Sequence, residues 1–150
     1  MGLDMYLSRK NYVKNWNHMN ASELHEVSVK RGGEVRNDIK PERVSYIVEE
    51  VGYWRKANQI HHWFVENVQN GVDNCGEYYV SNEKLVELLN LCKSIKEKRM
   101  MPQEALPTQS GFFFGSTDYD DYYYQDIEDT IEILEPLVNL EGDYFYTSSW

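Results

Sequence analysis

Cysteine is scarce in this sequence, and cations are absent from its last third. The two cysteines among 150 residues, Cys75 and Cys92, do not form a CxxC pair. This excludes a disulfide scaffold and disfavours a structural zinc site, so we expect two reduced thiols in a cytoplasmic protein. Residues 100–150 hold 11 of the 25 acidic residues and no Lys or Arg. The formal charge of −10 therefore belongs to this segment.

Long apolar runs and basic stripes are also missing. No run approaches the roughly 18 apolar residues that a membrane span requires. The first ten residues do not match a signal peptide, and Tyr6 stands where myristoylation needs Ser or Thr. Without a basic stripe the chain lacks the electrostatic footprint of a nucleic-acid binder. We therefore expect no direct contact with nucleic acid or with a membrane.

Aromatic residues are abundant, with 12 Tyr, 5 Phe and 4 Trp, which is typical of a folded domain. The length fits a single domain spanning residues 1–150. Alternating patterns predict strands over 2–10, 43–49, 77–80 and 143–150, and Gly32-Gly33 between two short runs predicts a hairpin. Because most strand candidates precede the helices, the pattern predicts an α+β fold with a mostly antiparallel sheet of about five to seven strands and three helices.

Three segments have helical periodicity. The first starts near Val51 and ends at Asn70-Gly71, and the second follows Ser81, which can cap it. Thr117 and Asp120 fit a capping box before the third helix, which carries an apolar stripe to Val138. Residues 98–111 between the second and third helices are predicted to form a long loop.

The first candidate site is the stretch GYWRKANQIHHWF, residues 52–64. On a helix, Trp54, Asn58 and His61 share one face and Arg55 lies on the next. The ring could stack on a base, the guanidinium could bind phosphate, and the amide and imidazole could bond base or ribose. The alternative is structural: Trp54 and His61 flank the core, and Arg55 pairs with an acid of the third helix.

The second candidate site is the stretch SGFFFGSTDYDDYYY, residues 110–124. Its three phenylalanines between two glycines could form an aromatic wall, so we take Phe113, Phe114 and Tyr119 as candidate ligand-binding residues. It is not a phosphate loop, because no Lys follows and the next helix begins with aspartates. The alternative is core phenylalanines followed by a well-capped helix.

Metal and catalytic signatures are weak. His61 and His62 diverge by about 100° on a helix, and no HExxH motif is present. We therefore expect no metal and no cofactor. Ser, Cys and His occur without a local nucleophile signature, which favours a non-enzyme but leaves open an enzyme built from distant residues.

The acidic last third allows three interpretations. It can be a solvated helix face, a docking surface for a basic partner that includes nucleic-acid mimicry, or a partner for the basic segment 93–99. Surface ion pairs of the third kind are worth about 0–1 kcal/mol each.

Three blocks carry a family resemblance: MGLDMYL, GYWRKAN…IHHWF and SGFFFGSTDYD…YYYQDIEDTIEILE. They resemble small proteins encoded by tailed phages and prophages, nearly end to end. The resemblance implies a protein that works in the cytoplasm of a host cell, where small phage proteins often act against host enzymes or defence signalling. It implies no active-site residue.

Three functions follow as hypotheses. The first is a binder that sequesters a small anionic, nucleotide-like ligand, including a host immune signal, to counter defence. The second is an acidic, tyrosine-rich inhibitor of a host protein. The third is a nucleotide-processing enzyme. Tyrosine-rich strands and the apolar Trp150 also suggest a homodimer.

Overall fold

A four-stranded antiparallel sheet organises the fold, which a computed structural model describes for residues 2–150. The six strands are β1 (Asp4–Tyr12), β2 (Lys30–Arg31), β3 (Glu34–Val35), β4 (Tyr46–Arg55), β5 (Tyr78–Val80) and β6 (Asp143–Ser149). The main sheet has the order β4-β1-β6-β5, and β2 and β3 form a separate hairpin. The predicted α+β class is confirmed, although the main sheet has fewer strands than expected.

Four α-helices accompany the sheet: α1 (Asn58–Asn67), α2 (Asn82–Lys96), α3 (Pro102–Ala105) and α4 (Asp121–Leu134). The cap of α2 is confirmed, since the Ser81 hydroxyl accepts the Lys84 N–H at 3.2 Å. The single turn α3 lies in the segment predicted to be a loop, where Pro102 occupies the first helical position. Among residues 2–150 no helix is long and apolar enough to cross a membrane.

The predicted start of the first helix near Val51 is wrong, because residues 51–55 belong to β4. There Gly52 and Trp54 face the core and Tyr53 and Arg55 face outward, a period of two that pairs with β1. Lys56 then takes a positive φ of 56° and turns the chain into α1. Trp54 and Arg55 consequently cannot share a helix face with Asn58 and His61.

The predicted capping box at Thr117 is also wrong, and α4 begins one turn later. Asp120 is the N-cap, and its carboxylate accepts the Tyr123 N–H at 3.1 Å. The Ser116 hydroxyl accepts the Asp118 N–H at 3.0 Å, which holds residues 116–118 in a local turn. Tyr119 therefore lies before the helix.

The two faces of the main sheet differ in what covers them. One face packs against α1, α2 and α4 and forms the core, where Phe64 and Tyr146 stack with ring centroids 3.9 Å apart. Burial of such a side chain contributes about 1.5–3 kcal/mol. We call the opposite side the open face. Its aromatic, apolar and charged members are Tyr6, Tyr12, Tyr46, Val48, Tyr53, Tyr79, Phe145, Asp4, Lys10, Glu50, Arg55 and Asp143.

Candidate functional site

The first turn of α1 buries polar side chains toward two different cavities. Asn58, Gln59 and His61 are each at most 2% exposed. Buried polar groups of this kind need internal partners, because an unpaired one costs about 1–3 kcal/mol. Their partners define the two sites, one on each side of the helix start.

The first site is an aromatic cleft of about 450 Å³ between α1, residues 109–114 and the C-terminal Trp150. We call residues 109–116 the phenylalanine loop. The cleft contains six rings: those of His61, His62, Phe112, Phe113, Phe114 and Trp150. Glu66, Asp73, Gln109 and Ser110 supply its polar lining, and neither Lys nor Arg contributes.

The rings that line the cleft differ in solvent exposure, from buried to almost fully exposed. Phe114 is buried and meets His61 edge-to-face, with ring centroids 5.3 Å apart. Phe112 is 93% exposed and Trp150 is 48% exposed. Phe112 packs edge-to-face against Phe113 with ring centroids 4.6 Å apart, and an exposed apolar patch of this kind, rather than one exposed ring, is typical of a binding surface. The cleft therefore offers a buried floor and two open aromatic walls.

A hydrogen-bond chain runs from the core to the cleft wall. His61 lies between Tyr146 and Asp73, with Nδ1 2.6 Å from the tyrosine hydroxyl and Nε2 2.9 Å from a carboxylate oxygen. Because the carboxylate can only accept, Nε2 carries the proton and Nδ1 accepts from Tyr146. The second carboxylate oxygen of Asp73 accepts the Trp150 indole N–H at 3.1 Å.

Burial sets the charge state of this chain. Loss of solvent lowers the pKa of His61 below its ordinary value, and the neighbouring Asp73 opposes that shift only in part. Burial also raises the pKa of Tyr146 well above its ordinary value. At neutral pH both rings are uncharged, so the floor of the cleft carries no cation.

The phenylalanine loop has main-chain donors that no other protein group uses. Within residues 2–150 the backbone N–H groups of Ser110, Gly111, Phe112 and Phe113 have no protein acceptor. The Phe114 N–H, in contrast, donates to the Gly111 carbonyl at 3.1 Å and closes a tight turn. The four unpaired donors belong to residues that line the cleft, and successive main-chain N–H groups are suited to an anionic oxygen.

The second site, which we call the acidic cavity, has a volume of about 270 Å³ on the other side of α1. Asp118, Asp120 and Asp126 line it together with Arg55 and Lys56. Burial raises the pKa of Asp126 to about 6, opposed by a hydrogen bond from Gln59 and reinforced by nearby aspartates. This carboxyl is the most perturbed acid of the cavity.

Asn58 joins the two sites by clamping the phenylalanine loop. Its amide nitrogen donates to the carbonyls of Phe114 and Ser116, both at 2.9 Å. Its amide oxygen accepts the Gln109 N–H, also at 2.9 Å. The hydrogen bonds of this buried side chain are therefore all made to the loop. Its role is to position the aromatic walls.

The structure brings together three of the seven sequence-predicted site residues in the aromatic cleft, which His61, Phe113 and Phe114 line. Trp54 is instead buried in the core, where its indole N–H donates to the Thr130 hydroxyl at 2.9 Å. Arg55 lines the acidic cavity together with Asn58 and pairs with Asp4 at 3.3 Å, so the expected acid from the third helix is not its partner.

Asn58 and Tyr119 are the other two predicted residues outside the cleft. Asn58 supports the loop from beneath, as described above. The Tyr119 hydroxyl accepts the Thr108 N–H at 3.2 Å and fixes the approach to the loop. Both therefore act on the cleft through the backbone rather than by lining it.

Sequence reasoning missed several cleft residues, of which Asp73, Phe112 and Trp150 matter most. Phe112 belongs to the same triplet as two predicted residues, and its position next to Gly111 was a usable signal for exposure. Asp73 and Trp150 are 77 residues apart and meet only through the fold. No local pattern could have joined them.

Neither metal binding nor cysteine chemistry is indicated in the described part of the chain. Residues 2–150 contain no group of three or more His, Cys, Asp or Glu side chains arranged to hold a metal ion. Burial raises the pKa of Cys92 to about 12, so this thiol is inert in the core. Cys75 is exposed, and neither cysteine forms a disulfide.

Comparison with known proteins gives no family for this chain. No family model matches the sequence, and no curated protein or solved structure is similar to it.

Proposed function

We propose that this protein binds and sequesters a small nucleotide-like ligand, whose ring is held in the aromatic cleft. The observation that carries the proposal is the pair of exposed aromatic rings, Phe112 and Trp150, that line a cavity of about 450 Å³, large enough for a base. Base–aromatic stacking contributes about 1–3 kcal/mol per base. Asp73 and Gln109 supply the acceptors and donors at the edge of the bound ring.

The anionic part of the ligand binds at the phenylalanine loop. Arg55, the cation that the sequence suggested for phosphate, lies on the open face and is engaged with Asp4. The unpaired N–H groups of residues 110–113 are the alternative. Because Glu66 and Asp73 also line the cleft, an anion is disfavoured deeper inside. The ring therefore enters first and the phosphate stays at the rim.

The geometry favours binding over catalysis. Both ring nitrogens of His61 already have protein partners, so neither is free to act as a general base on a ligand. In the phage setting implied by the sequence blocks, a tight binder without turnover would remove a host defence signal from solution. Sequestration inside the host cell is accordingly the biological role that we propose.

The test is calorimetry against mono-, di- and cyclic nucleotides. We expect micromolar or tighter binding to at least one of them and a loss of tenfold or more in Phe112→Ala and in Trp150→Ala. Tyr122→Ala is the matched control, because Tyr122 is 83% exposed on α4 and does not line the aromatic cleft. Absence of binding at tens of micromolar, or equal losses in all three variants, would overturn the proposal. Mass spectrometry of the incubated nucleotides separates sequestration from turnover.

A second candidate function is inhibition of a host protein through α4. Tyr122 stands in water beside Asp121, as in an interaction surface. Two acids of this helix are already partly neutralised by α2, since Lys93 lies 3.2 Å from Glu135 and Lys96 lies 3.8 Å from Glu128. The acids Asp121, Asp129 and Glu132, which have no Lys or Arg partner among residues 2–150, are the ones left for a docking surface.

Charge reversal tests the second candidate. Asp121→Lys combined with Tyr122→Ala should abolish capture of a host protein in pull-down experiments while the circular dichroism spectrum is preserved. Glu97→Lys on the far end of α2 serves as the control for the charge change. Unaltered capture by the double variant would contradict this function without affecting the ligand proposal.

A further inference from the structure

The side chains that line the aromatic cleft include two carboxylates and no cation. The carboxylates belong to Glu66 and Asp73, and neither Lys nor Arg is part of the lining. A carboxylate accepts hydrogen bonds and donates none. A ring that stacks in this cleft is therefore selected for N–H groups along its edge.

The two carboxylates differ in how much of their hydrogen-bonding capacity the protein already uses. Each oxygen of Asp73 has a partner, one at 2.9 Å from His61 and the other at 3.1 Å from the Trp150 indole nitrogen. Glu66 is exposed and, within residues 2–150, its side chain forms neither a hydrogen bond nor an ion pair. Both oxygens of Glu66 are therefore available to a ligand.

Helix α1 places a hydrogen-bond donor beside this free carboxylate. Glu66 follows His62 by four residues on α1, so their side chains share one face of the helix. Both residues line the cleft. The His62 imidazole has no hydrogen-bond partner among residues 2–150, and an imidazole carries at least one N–H in either protonation state. The helix therefore offers a pair of acceptors next to a donor.

Guanine is the common base whose edge has the complementary pattern. Its N1–H and its N2 amino group are adjacent donors, and O6 beside them is an acceptor. Adenine and cytosine have a ring-nitrogen acceptor beside their amino group, and uracil has one N–H between two carbonyls. A carboxylate at any of these three edges would face an acceptor lone pair. Two parallel N–H···O bonds to one carboxylate are charge-assisted and geometrically specific.

We propose that the ligand of the aromatic cleft is a guanine nucleotide, and that Glu66 accepts from its N1–H and its N2 amino group. This inference rests on the proposed function, because it assigns the base that the cleft holds. His62 donates to O6, and the phosphate binds the backbone N–H groups of residues 110–113. Helix α1 thus recognises the base and the phenylalanine loop binds the anion.

Calorimetry with matched nucleotides tests the assignment. The ligands are the 5′-monophosphates and the 3′,5′-cyclic monophosphates of guanosine, inosine and adenosine, which share ribose and phosphate. Inosine lacks the amino group, and adenosine also has an acceptor in place of N1–H. We expect the guanosine ligand to bind at least tenfold tighter than the adenosine ligand, with the inosine ligand between them, because hydrogen bonds to charged groups are the stronger ones.

Glu66→Gln gives a result that a loss of folding would not produce. The amide keeps the size of the side chain but has one acceptor and one donor, a pair that suits adenine. The variant should lose at least tenfold in affinity for the guanosine ligand and gain affinity for the adenosine ligand. Glu83→Gln is the matched control, because Glu83 lies in the first turn of α2 and does not line the cleft. It should leave all affinities unchanged.

The outcomes distinguish failure of this inference from failure of the proposed function. Equal affinity for the guanosine and adenosine ligands would overturn the guanine assignment and leave nucleotide sequestration standing. The same holds for an affinity ratio that Glu66→Gln does not change, and for binding only to nucleotides without guanine. No binding to any nucleotide would overturn both proposals.

Discussion

The aromatic cleft and the acidic cavity lie on opposite sides of the same helical turn, yet they treat polar groups differently. In the cleft, His61 is neutral and bonded at both nitrogens, while two aromatic walls stand in solvent. In the acidic cavity, burial raises the pKa of the Asp126 carboxyl, and this carboxyl accepts a hydrogen bond only from the Gln59 amide. The cleft, which we propose as the ligand site, thus keeps its buried polar groups fully bonded, whereas the cavity contains a buried carboxyl that costs the fold stability.

The two sites should also respond to pH in opposite directions. A histidine whose pKa is lowered by folding favours the folded state at higher pH, and a carboxyl whose pKa is raised favours it at lower pH. Between about pH 4 and 6.5, acidification therefore lowers the stability that His61 contributes on the cleft side. It raises the stability contribution of Asp126 on the cavity side. Separate variants can resolve the two contributions.

The largest expected effect is that of Asn58→Ala, which removes the link between the two sites. The variant loses one buried and two partly buried hydrogen bonds and leaves two carbonyls and one N–H of the loop unpaired. We expect a loss of about 3 kcal/mol in the free energy of unfolding, measured by urea denaturation.

Asn82→Ala is the comparison for this variant, because Asn82 makes one exposed bond to the Val138 carbonyl. It should cost less than about 1 kcal/mol. Asn58→Ala should also weaken nucleotide binding, since the loop that carries Phe112 is no longer held. Equal costs for the two variants would show that the clamp contributes little.

The next effect is a gain in stability from Asp126→Asn. The folded pKa of about 6 exceeds the unfolded value of about 3.9, so the folded state binds more protons between these values and loses stability as pH rises through them. The variant removes that loss while its amide oxygen still accepts from Gln59. We expect a gain of about 1–2 kcal/mol at pH 7.5, less than the full shift because part of the carboxyl reaches solvent, and a much smaller gain at pH 4.5.

Urea midpoints at the two pH values measure this gain. Asp121→Asn is the control, because Asp121 is an exposed acid in the first turn of α4. A gain for Asp126→Asn that does not depend on pH would mean that packing, not ionisation, is responsible.

A smaller pH dependence of stability, opposite in sign to that of Asp126, is expected from His61 on the cleft side. Because burial lowers the pKa of His61, the unfolded chain takes up a proton first as pH falls below about 6.5, and stability is lost. His61→Gln keeps a donor for Asp73 and an acceptor for Tyr146 but cannot titrate. In an Asp126→Asn background, this variant should lose less stability between pH 7.5 and 5 than the background alone. If both proteins lost the same stability between pH 7.5 and 5, the assignment of this loss to His61 would be wrong.

The sequence was a good guide wherever one period dominated a segment. The stripe of α2, its Ser81 cap and the alternation of β6 were each sufficient for a correct prediction. At residues 51–57 a two-residue period and a four-residue period overlap, and pairing with β1 decided for the strand. Local periodicity contains no information about that partner.

The candidate site was predictable only in part, for a related reason. The composition of the FFF triplet identified an unusual loop. His61 was identified because helical spacing places it on the same face as Asn58. The partners that define their roles, Tyr146 and Asp73 for His61 and Asn58 for the loop, lie between 12 and 85 residues away along the chain. Such contacts depend on the topology of the sheet.

The smallest expected effect is that of Arg55→Ala, and it separates the sequence-based hypothesis from the structural one. If Arg55 bound phosphate, its removal would weaken nucleotide binding by tenfold or more. The structure instead places its side chain, 54% exposed, beside Asp4 on the open face. Such a pair contributes less than about 1 kcal/mol. We therefore expect calorimetric affinity within twofold of the parent chain, because the donors that we propose for the anion are the backbone N–H groups of residues 110–113, which no side-chain truncation at Arg55 can remove.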